Sequence, residues 1–336
     1  MEVTIADIAR RAGVSKATVS RVLNNKPDVD AAKRERILGI IRETGYVPRL
    51  AAVSLATGRT NLIGLLAPSL SRPWSLEVIQ GISEAIESTA YELVLYTTSL
   101  DERNQELFAR ALSNGLTDGL LIMLPRNSTG YLSQLEHQGF PTVLIDHRGV
   151  PSSLPTVTAA NTDGAYAAIH HLLTLGHQRI GIITGIMDFG CSRDRLEGYK
   201  KALQDAGIAP DPYLIKYGDF SESTGYALAE QWLRDSTSQR PTAIFASNDA
   251  MAFGVLRAAR AAGISVPGDL AVVGFDDVPG AAQTHPALTT VRQPLRDMGR
   301  RAVKMLLAQI RQGRPVESKV VVPTELIVRE SCGAKR

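Results

Sequence analysis

Near the start of the chain, Ile5, Ile8, Ala9 and Ala12 recur at i, i+3, i+4 and i+7, which is one face of a helix. Thr4 followed by Asp7 resembles a capping box with Asp in place of the usual Glu. Gly13 is placed to end that helix in the left-handed conformation. Ser15 is a candidate N-cap for a second helix, whose buried face is Val19, Val22 and Leu23. Lys16, Ala17, Ser20, Arg21 and Asn24 are then left pointing outward. A third helix is expected after its cap Asp30, with Ile37, Ile40 and Ile41 inside and Gly45 as its stop. Small Ala9, the turn residue Gly13 and branched Val19 let the first two helices cross closely at a steep angle. That is a helix-turn-helix arrangement, with the second helix exposed for a DNA major groove.

From Asn61 onward the pattern changes to short apolar runs alternating with helical stretches. Strand candidates are 62–67, 93–98, 119–124, 142–146, 180–184, 243–247 and 271–275. This β-α-β-α rhythm predicts parallel sheets covered by helices on both faces, and the number of strands favours two Rossmann-like lobes over one. Ligands of such sheets bind beyond the carboxyl ends of the strands, so the residues just after each strand carry the interest. They are polar: Ser69, the pair Asn248 and Asp249, and the pair Asp276 and Asp277. Arg193 and Arg195 stand at an expected helix start, and Trp74 and Phe220 are the aromatic candidates. Carboxylates accept from hydroxyls, an amide both donates and accepts, and a guanidinium donates in a fork. An aromatic face packs on the apolar CH face of a sugar ring. Asp249 and Asp277 read better as helix caps or loop hydrogen-bonders than as ligand contacts.

Charge sharpens the division. The 336 residues carry a net charge of +3, yet residues 1–59 alone carry 11 Lys and Arg against 6 Asp and Glu. The remainder is slightly acidic, so positive charge is gathered where contact with a phosphate backbone would need it. No apolar run reaches the roughly 20 residues a membrane span requires, and the first ten residues lack a signal-peptide core. A cytoplasmic protein without membrane contact is expected. Cys191 and Cys332 are far apart and outside any metal-ligand spacing, and His170-His171 has no acidic or cysteine partner at such a spacing. Asp249 with Asp276 invites a glycosidase reading. Against it, carboxylates at strand ends also bind sugars without chemistry, and no nucleophile elbow, phosphate loop or metal motif is present. The expectation is a binding protein with no cofactor, no metal and no enzymatic activity.

Residues 3–57 resemble the headpiece of the lactose/galactose repressor (LacI/GalR) family. The carrying motifs are Thr4-Ile-Ala-Asp-Ile-Ala, Ala12-Gly-Val-Ser, Thr18-Val-Ser-Arg-Val-Leu-Asn and Gly45-Tyr-Val-Pro48, and the similarity runs on to about residue 330. The resemblance implies a helix-turn-helix headpiece at 1–48, a hinge at 49–59 and an effector-binding domain at 60–336. That domain would be of the periplasmic-binding-protein type I kind, its first lobe about 60–160 and 291–322 and its second about 161–290 and 323–336. Lys16 and Ala17 would read bases, Ser15, Ser20, Arg21 and Asn24 would add base and phosphate contacts, and Thr4 and Lys33 would hold phosphates. In the hinge, Leu55 matches the family's minor-groove wedge and Ala52 the small residue beside it, although Arg49 and Val53 stand where Asn and Arg are common. Ligand contact falls to Arg195, Asn248 and Asp276, with Trp74 and Phe220 lining the cleft. Ala160 replaces a common Asp, so Asn161 or Asp163 takes over a polar contact, or one contact is missing.

The function so implied is a sequence-specific transcriptional repressor, a homodimer on operator DNA, associated with the nucleoid while bound there and controlled by a sugar or sugar derivative. No helical heptads follow Val328, so no tail-made tetramer is expected. The rival readings are the same regulator sensing a purine or a co-regulator protein, and a solute-binding receptor.

Overall fold

A computed structural model describes residues 3–23, 26–46, 58–67, 70, 73–97, 115–124, 129–146, 152–236, 239–313 and 317–334. The chain divides into two compact units, Met1–Thr60 and Asn61–Arg336.

Among the described residues of the first unit, three helices enclose a small core: α1 (Ile5–Ala12), α2 (Lys16–Leu23) and α3 (Ala31–Thr44). Ile8, Ala9, Ala12, Val19, Val22 and Ile37 are buried, with Leu23, Ile40 and Ile41 packed half-buried around them. The Asp7 carboxylate reaches back to the backbone N–H of Thr4 at 3.0 Å, which is the acidic half of the expected box. Gly13 has φ 61°, a conformation that any Cβ would strain. Ser15 and Asp30 cap α2 and α3, accepting from the N–H groups of Thr18 (3.1 Å) and Lys33 (3.0 Å). The Arg36 guanidinium donates to the carbonyl of Ala12 and so ties α3 to the end of α1.

The second unit contains two six-stranded sheets. The first is built from β1 (Leu62–Ala67), β2 (Glu92–Thr97), β3 (Gly119–Met123), β4 (Thr142–Ile145) and β5 (Thr156–Ala159). The second contains β6 (Ile180–Thr184), β7 (Ile215–Tyr217), β8 (Ala243–Ala246), β9 (Ala271–Asp276) and β10 (Thr289–Arg292). The chain then returns β11 (Lys319–Val322) to the first sheet and β12 (Glu325–Ile327) to the second. The strand orders are β11-β5-β4-β3-β1-β2 and β12-β10-β9-β8-β6-β7. All pairs are parallel except β10 with β12. Every residue of β3, β4, β6 and β8 is buried, as parallel strands covered on both faces require.

Among the described residues, the helices that cover the first sheet are α4 (Pro73–Ile86), α5 (Thr129–Gln138) and α10 (Leu295–Gln312). Those on the second are α6 (Asn161–Thr174), α7 (Gly190–Asp205), α8 (Glu222–Leu233) and α9 (Asp249–Ala261). On one face of the first sheet Ile63, Leu65 and Val143 pack against Val78 and Leu306, and on the other Ile122 and Leu144 pack against Leu135. α4 and α10 meet so closely that a Cβ at Gly81 would strike the Arg296 backbone, and one at Gly299 the Val78 carbonyl. The chain passes between the sheets at residue 160, at 293–294 and at 323–324. β10 keeps Val291 and Arg292 in the second sheet, two residues past the expected changeover, because both pair in register with β9.

The seven strand candidates all exist to within a residue at each end. Five further strands, β5, β7, β10, β11 and β12, are three or four residues long. Segments that short carry no readable period, and their pairing is set by neighbours remote in sequence.

Candidate functional site

Two polar surfaces stand out, one in each unit. On the first, Ser15, Lys16, Ala17 and Arg21 are exposed and Ser20 is half-buried, so α2 presents the face expected of it. Thr4 and Lys33 are also exposed. Some of these groups are already engaged. The Thr4 hydroxyl donates to the Asp7 carboxylate at 2.7 Å, and Ser15 shares a hydrogen bond with the Thr18 hydroxyl at 2.9 Å. Arg21 forms an ion pair with Asp28. That pairing holds the Asp28 carboxyl below its ordinary range. Asn24, Ala52 and Leu55, with most of the hinge, and Ser69 in the second unit lie outside the described residues.

The second surface is a cleft at the carboxyl ends of the strands, between the two sheets of the second unit. Its centre is Arg195, in the second turn of α7 and 3% exposed. Its Nε donates to Asn161 Oδ1 at 2.9 Å, and its Nη1 donates to the Ser247 carbonyl and stands 3.7 Å from Asp276 Oδ1. The guanidinium plane lies over the Phe275 ring, 3.8 Å from its centroid. Asp276, the last residue of β9, also accepts from Gln293 Nε2 at 2.6 Å. Burial pushes the Asp276 carboxyl up to about 6, while Arg195 and the Gln293 hydrogen bond pull the other way. Asn248 caps α9 through Met251 N–H (3.0 Å) and donates its amide to the Phe220 carbonyl (3.0 Å).

Asp146 closes the network from the first sheet. It follows β4 directly, is 7% exposed, and accepts from the Thr158 hydroxyl (3.1 Å) and Asn161 Nδ2 (3.3 Å). Between the two alternatives left by Ala160, Asn161 faces inward and bridges Asp146 to Arg195, whereas Asp163 is exposed.

These groups line a deep compartment of about 20 Å³, room for roughly one water molecule. An outer chamber of about 560 Å³ adjoins it, within the range of small-molecule sites. Trp74, Phe220, Asn248 and Asp276 line both, so they form the boundary between them. Six described residues other than glycine have positive φ, and four of these line the deep compartment: Leu124 (41°), Asp146 (57°), Phe220 (70°) and Asp276 (119°). Each such conformation costs about 1–3 kcal/mol and persists where surrounding contacts over-determine it, a condition met at binding sites.

Of the expected ligand residues, the fold brings together Trp74, Arg195, Phe220, Asn248 and Asp276. Arg193 is a correction. Two positions before Arg195 on the same helix, it faces away, is exposed, and donates to the carbonyls of Met187 (2.6 Å) and Asp188 (3.1 Å). A helix turns about 200° over two residues, so the two arginines cannot share one cleft. Asp249 and Asp277 are both engaged within the fold. Asp249 accepts from the Thr290 hydroxyl (2.5 Å) and Val278 N–H (2.9 Å), and Asp277 pairs with Arg329 (2.6 Å) and Arg292 (2.7 Å). Burial, with Asp276 nearby, raises the Asp249 carboxyl well above its ordinary value.

Sequence reasoning missed Asp146 and Gln293. The strand-end rule that selects Asn248 and Asp276 also selects Asp146 once β4 is seen to end at Ile145, one residue before the end the apolar pattern predicts. Gln293 carries no local signal, because only the passage of the chain between the sheets brings it to Asp276. Among the described residues no group of three His, Cys, Asp or Glu could hold a metal ion, and His171 instead lies 3.4 Å from the Cys332 sulfur. No helix among them is long and apolar enough to cross a membrane.

Comparison with known proteins divides the chain in the same way. Residues 4–49 match the family described as bacterial regulatory proteins, lacI family, and residues 169–332 match a periplasmic binding protein-like domain. The HTH-type transcriptional regulator DegA of Bacillus subtilis (strain 168) is 34% identical over 334 residues, covering 98% of each chain. Among solved structures, the complex of transcriptional regulator CelR with cellobiose is 32% identical, with a TM-score of 0.76 over 98% of this chain and 100% of that one. The Lac repressor dimer bound to operator and the anti-inducer ONPF is 29% identical, with a TM-score of 0.88 over 99% of this chain and 100% of that one. With a relative of that identity along nearly its whole length, and with an exposed recognition helix and an interlobe cleft of its own, the chain belongs to the LacI family of DNA-binding transcription regulators.

Proposed function

We propose that this chain is a transcriptional repressor that grips a near-palindromic operator as a homodimer and answers to a carbohydrate-like effector bound in the cleft. The observation that carries the effector reading is the buried constellation of Arg195, Asp276, Asn248 and Asp146, bounded by the aromatic side chains Trp74 and Phe220. Two carboxylates, a guanidinium and an amide suit a ligand rich in hydroxyls, and an aromatic edge suits the CH face of a sugar ring.

Two recognition helices in a dimer read two half-sites. Lys16 donates to guanine O6 or N7 and Ala17 offers only a methyl contact, so the two select bases. Ser15, Ser20, Arg21 and Asn24 add base and phosphate contacts, while Thr4 and Lys33 position the headpiece on the phosphates. The segment 49–59 is the hinge, with Leu55 as a minor-groove wedge beside Ala52. Ser69 completes the ligand set. Because Trp74 and Asp146 belong to the first lobe and Arg195, Asn248 and Asp276 to the second, an effector that bridges them biases the relation of the lobes. A coupling of about 1–3 kcal/mol between cleft and operator is enough for regulation.

The cleft binds without chemistry. Asp249 is engaged by Thr290 and Val278, and Asp276 by Gln293, so this pair is not free to act as nucleophile and acid. The protein works in the cytoplasm, on the nucleoid while it holds its operator.

The test pairs titration calorimetry with gel shift. Cellobiose, galactosides and free hexoses are titrated against adenine, guanine and hypoxanthine, and operator duplexes selected from a random pool are compared with random DNA. Saturable binding of one sugar that changes operator affinity is the expected result. Saturable binding of a base and of no sugar moves the effector to the purines. No preference for any palindromic duplex overturns the whole reading.

A further inference from the structure

We infer that Asp249 is a positioning residue of the effector site: it touches no ligand, and its carboxyl group holds the backbone turn that aims Asp276 at Arg195 and Gln293. The inference rests on the reading of this cleft as the effector site.

The turn that follows β9 is strained at two successive residues. Asp276 has φ 119° and Asp277 has φ 56°, a region that residues with a Cβ seldom enter. Such a backbone persists only where its surroundings over-determine it. Arg329 (2.6 Å) and Arg292 (2.7 Å) hold the Asp277 side chain from one side. The main chain is held from the other, where Val278 N–H donates to Asp249 Oδ2 at 2.9 Å, across 29 positions of sequence. Asp249 is fully buried and is not among the residues that line either compartment of the cleft.

The carboxyl group has a seat of its own. Its Oδ1 accepts from the Thr290 hydroxyl of β10 at 2.5 Å. Thr290 lies in register with Gly274 of β9, and a Cβ built at Gly274 would strike that same Asp249 oxygen. Gly274 does not have a positive φ, so its backbone makes no demand for glycine and the carboxyl above it does. One side chain at the start of α9 therefore ties β9, β10 and the turn after β9 together. Asp276 opens that turn, and it meets Gln293 Nε2 at 2.6 Å and Arg195 Nη1 at 3.7 Å. Hydrogen bonds tolerate little change in length or angle, so a turn released from Asp249 loses the aim of Asp276.

The test needs no effector. Asp276→Ala and Gln293→Ala, singly and together, give the coupling between those two side chains from urea unfolding of the full chain, and a factor of about five or more in the unfolding constant is expected. The cycle is then repeated in four backgrounds. Asp249→Ala removes the carboxyl group, and Gly274→Ala pushes it from its seat; in each the coupling should fall to within about twofold of none. Asp249→Asn should keep it, because the amide oxygen accepts from Val278 N–H and the amide nitrogen donates to the Thr290 hydroxyl. Val273→Ala, a core change on the opposite face of β9, should lower stability and keep the coupling. A purely structural Asp249 would lower stability in the same way without touching the coupling. Coupling that is absent in the parent, that survives in Gly274→Ala or in a folded Asp249→Ala, or that is lost in Asp249→Asn or Val273→Ala overturns the inference. If Asp249→Ala does not fold, Gly274→Ala decides. Failure of every sugar to bind sinks the reading of the effector and leaves this coupling as measured.

Discussion

Lys16, Ala17 and Arg21 stand in solvent on α2, whereas Arg195, Asn248 and Asp276 in the cleft are 3%, 5% and 5% exposed. The first set is held by a backbone whose packing lies on the opposite face of the helix, so each side chain can change without disturbing the fold. In the second set Arg195 and Asp276 face each other, and Asn248 is held by Met251 and Phe220. An exposed site therefore separates binding from stability, and a buried polar site joins them. The cause is desolvation: a charged group in water needs no partner, and one removed from water does.

The sharpest way to break this contrast is Arg195→Ala. It removes the cation opposite Asp276, the donor to Asn161 and the guanidinium on Phe275. Breaking a buried pair costs about 3–5 kcal/mol, so urea unfolding of the full chain should show a loss of that size. Response to effector should vanish while operator binding by the folded variant survives. A variant as stable as the parent to within about 1 kcal/mol, or one whose effector affinity is unchanged, would remove Arg195 from the centre of the site.

A pH series probes the same contrast at somewhat smaller amplitude. Burial raises the Asp276 carboxyl from 3.8 to about 6, so the folded protein holds that proton more tightly than the unfolded chain. Its contribution to stability is fully favourable below about pH 4 and is lost as pH rises through about 6, an effect of about 3 kcal/mol. On the headpiece Asp28 is shifted the other way by Arg21, so its contribution is present above the ordinary carboxylate range and lost on acidification. Urea midpoints of the parent and of Asp276→Asn, taken from pH 4.5 to 7.5, should diverge as acid favours the parent. Parallel curves would mean that Asp276 does not titrate in this window.

The smallest effect on stability belongs to Lys16→Ala. Loss of one base contact in each half-site weakens operator binding by about 1–3 kcal/mol per half-site, roughly 5- to 150-fold for each. An exposed substitution leaves unfolding within about 0.5 kcal/mol of the parent. Gel shift on the selected operator and on a duplex changed at one base pair gives the first quantity, and the same urea experiment the second. A stability loss as large as that from Arg195→Ala would erase the distinction between the two sites.

How much of each site could be read beforehand follows the same division. The face of α2 is fixed by the helical period of Val19 and Val22 and by caps within a few residues of one another, Ser15 before the helix and Gly13 before that. All of this is local. Asn248 and Asp276 were also accessible, because strand ends in a parallel sheet mark ligand sites wherever a strand can be recognised. Arg193 and Arg195 were not separable without knowing which way α7 faces the sheet.

The sequence alone determined the helix-turn-helix unit, the alternating α/β architecture and the family, because periodicity, capping and strand length act over a few residues. Tertiary structure alone decided that Gln293 meets Asp276 at 2.6 Å, that Asn161 rather than Asp163 bridges Arg195 to Asp146, and that Phe220 rests on Gly185. Those contacts join residues 15 to 35 positions apart, brought together at the carboxyl ends of the strands, the first two sets where the chain passes between the two sheets. Their partners are chosen by the geometry of that passage, on which no local pattern bears.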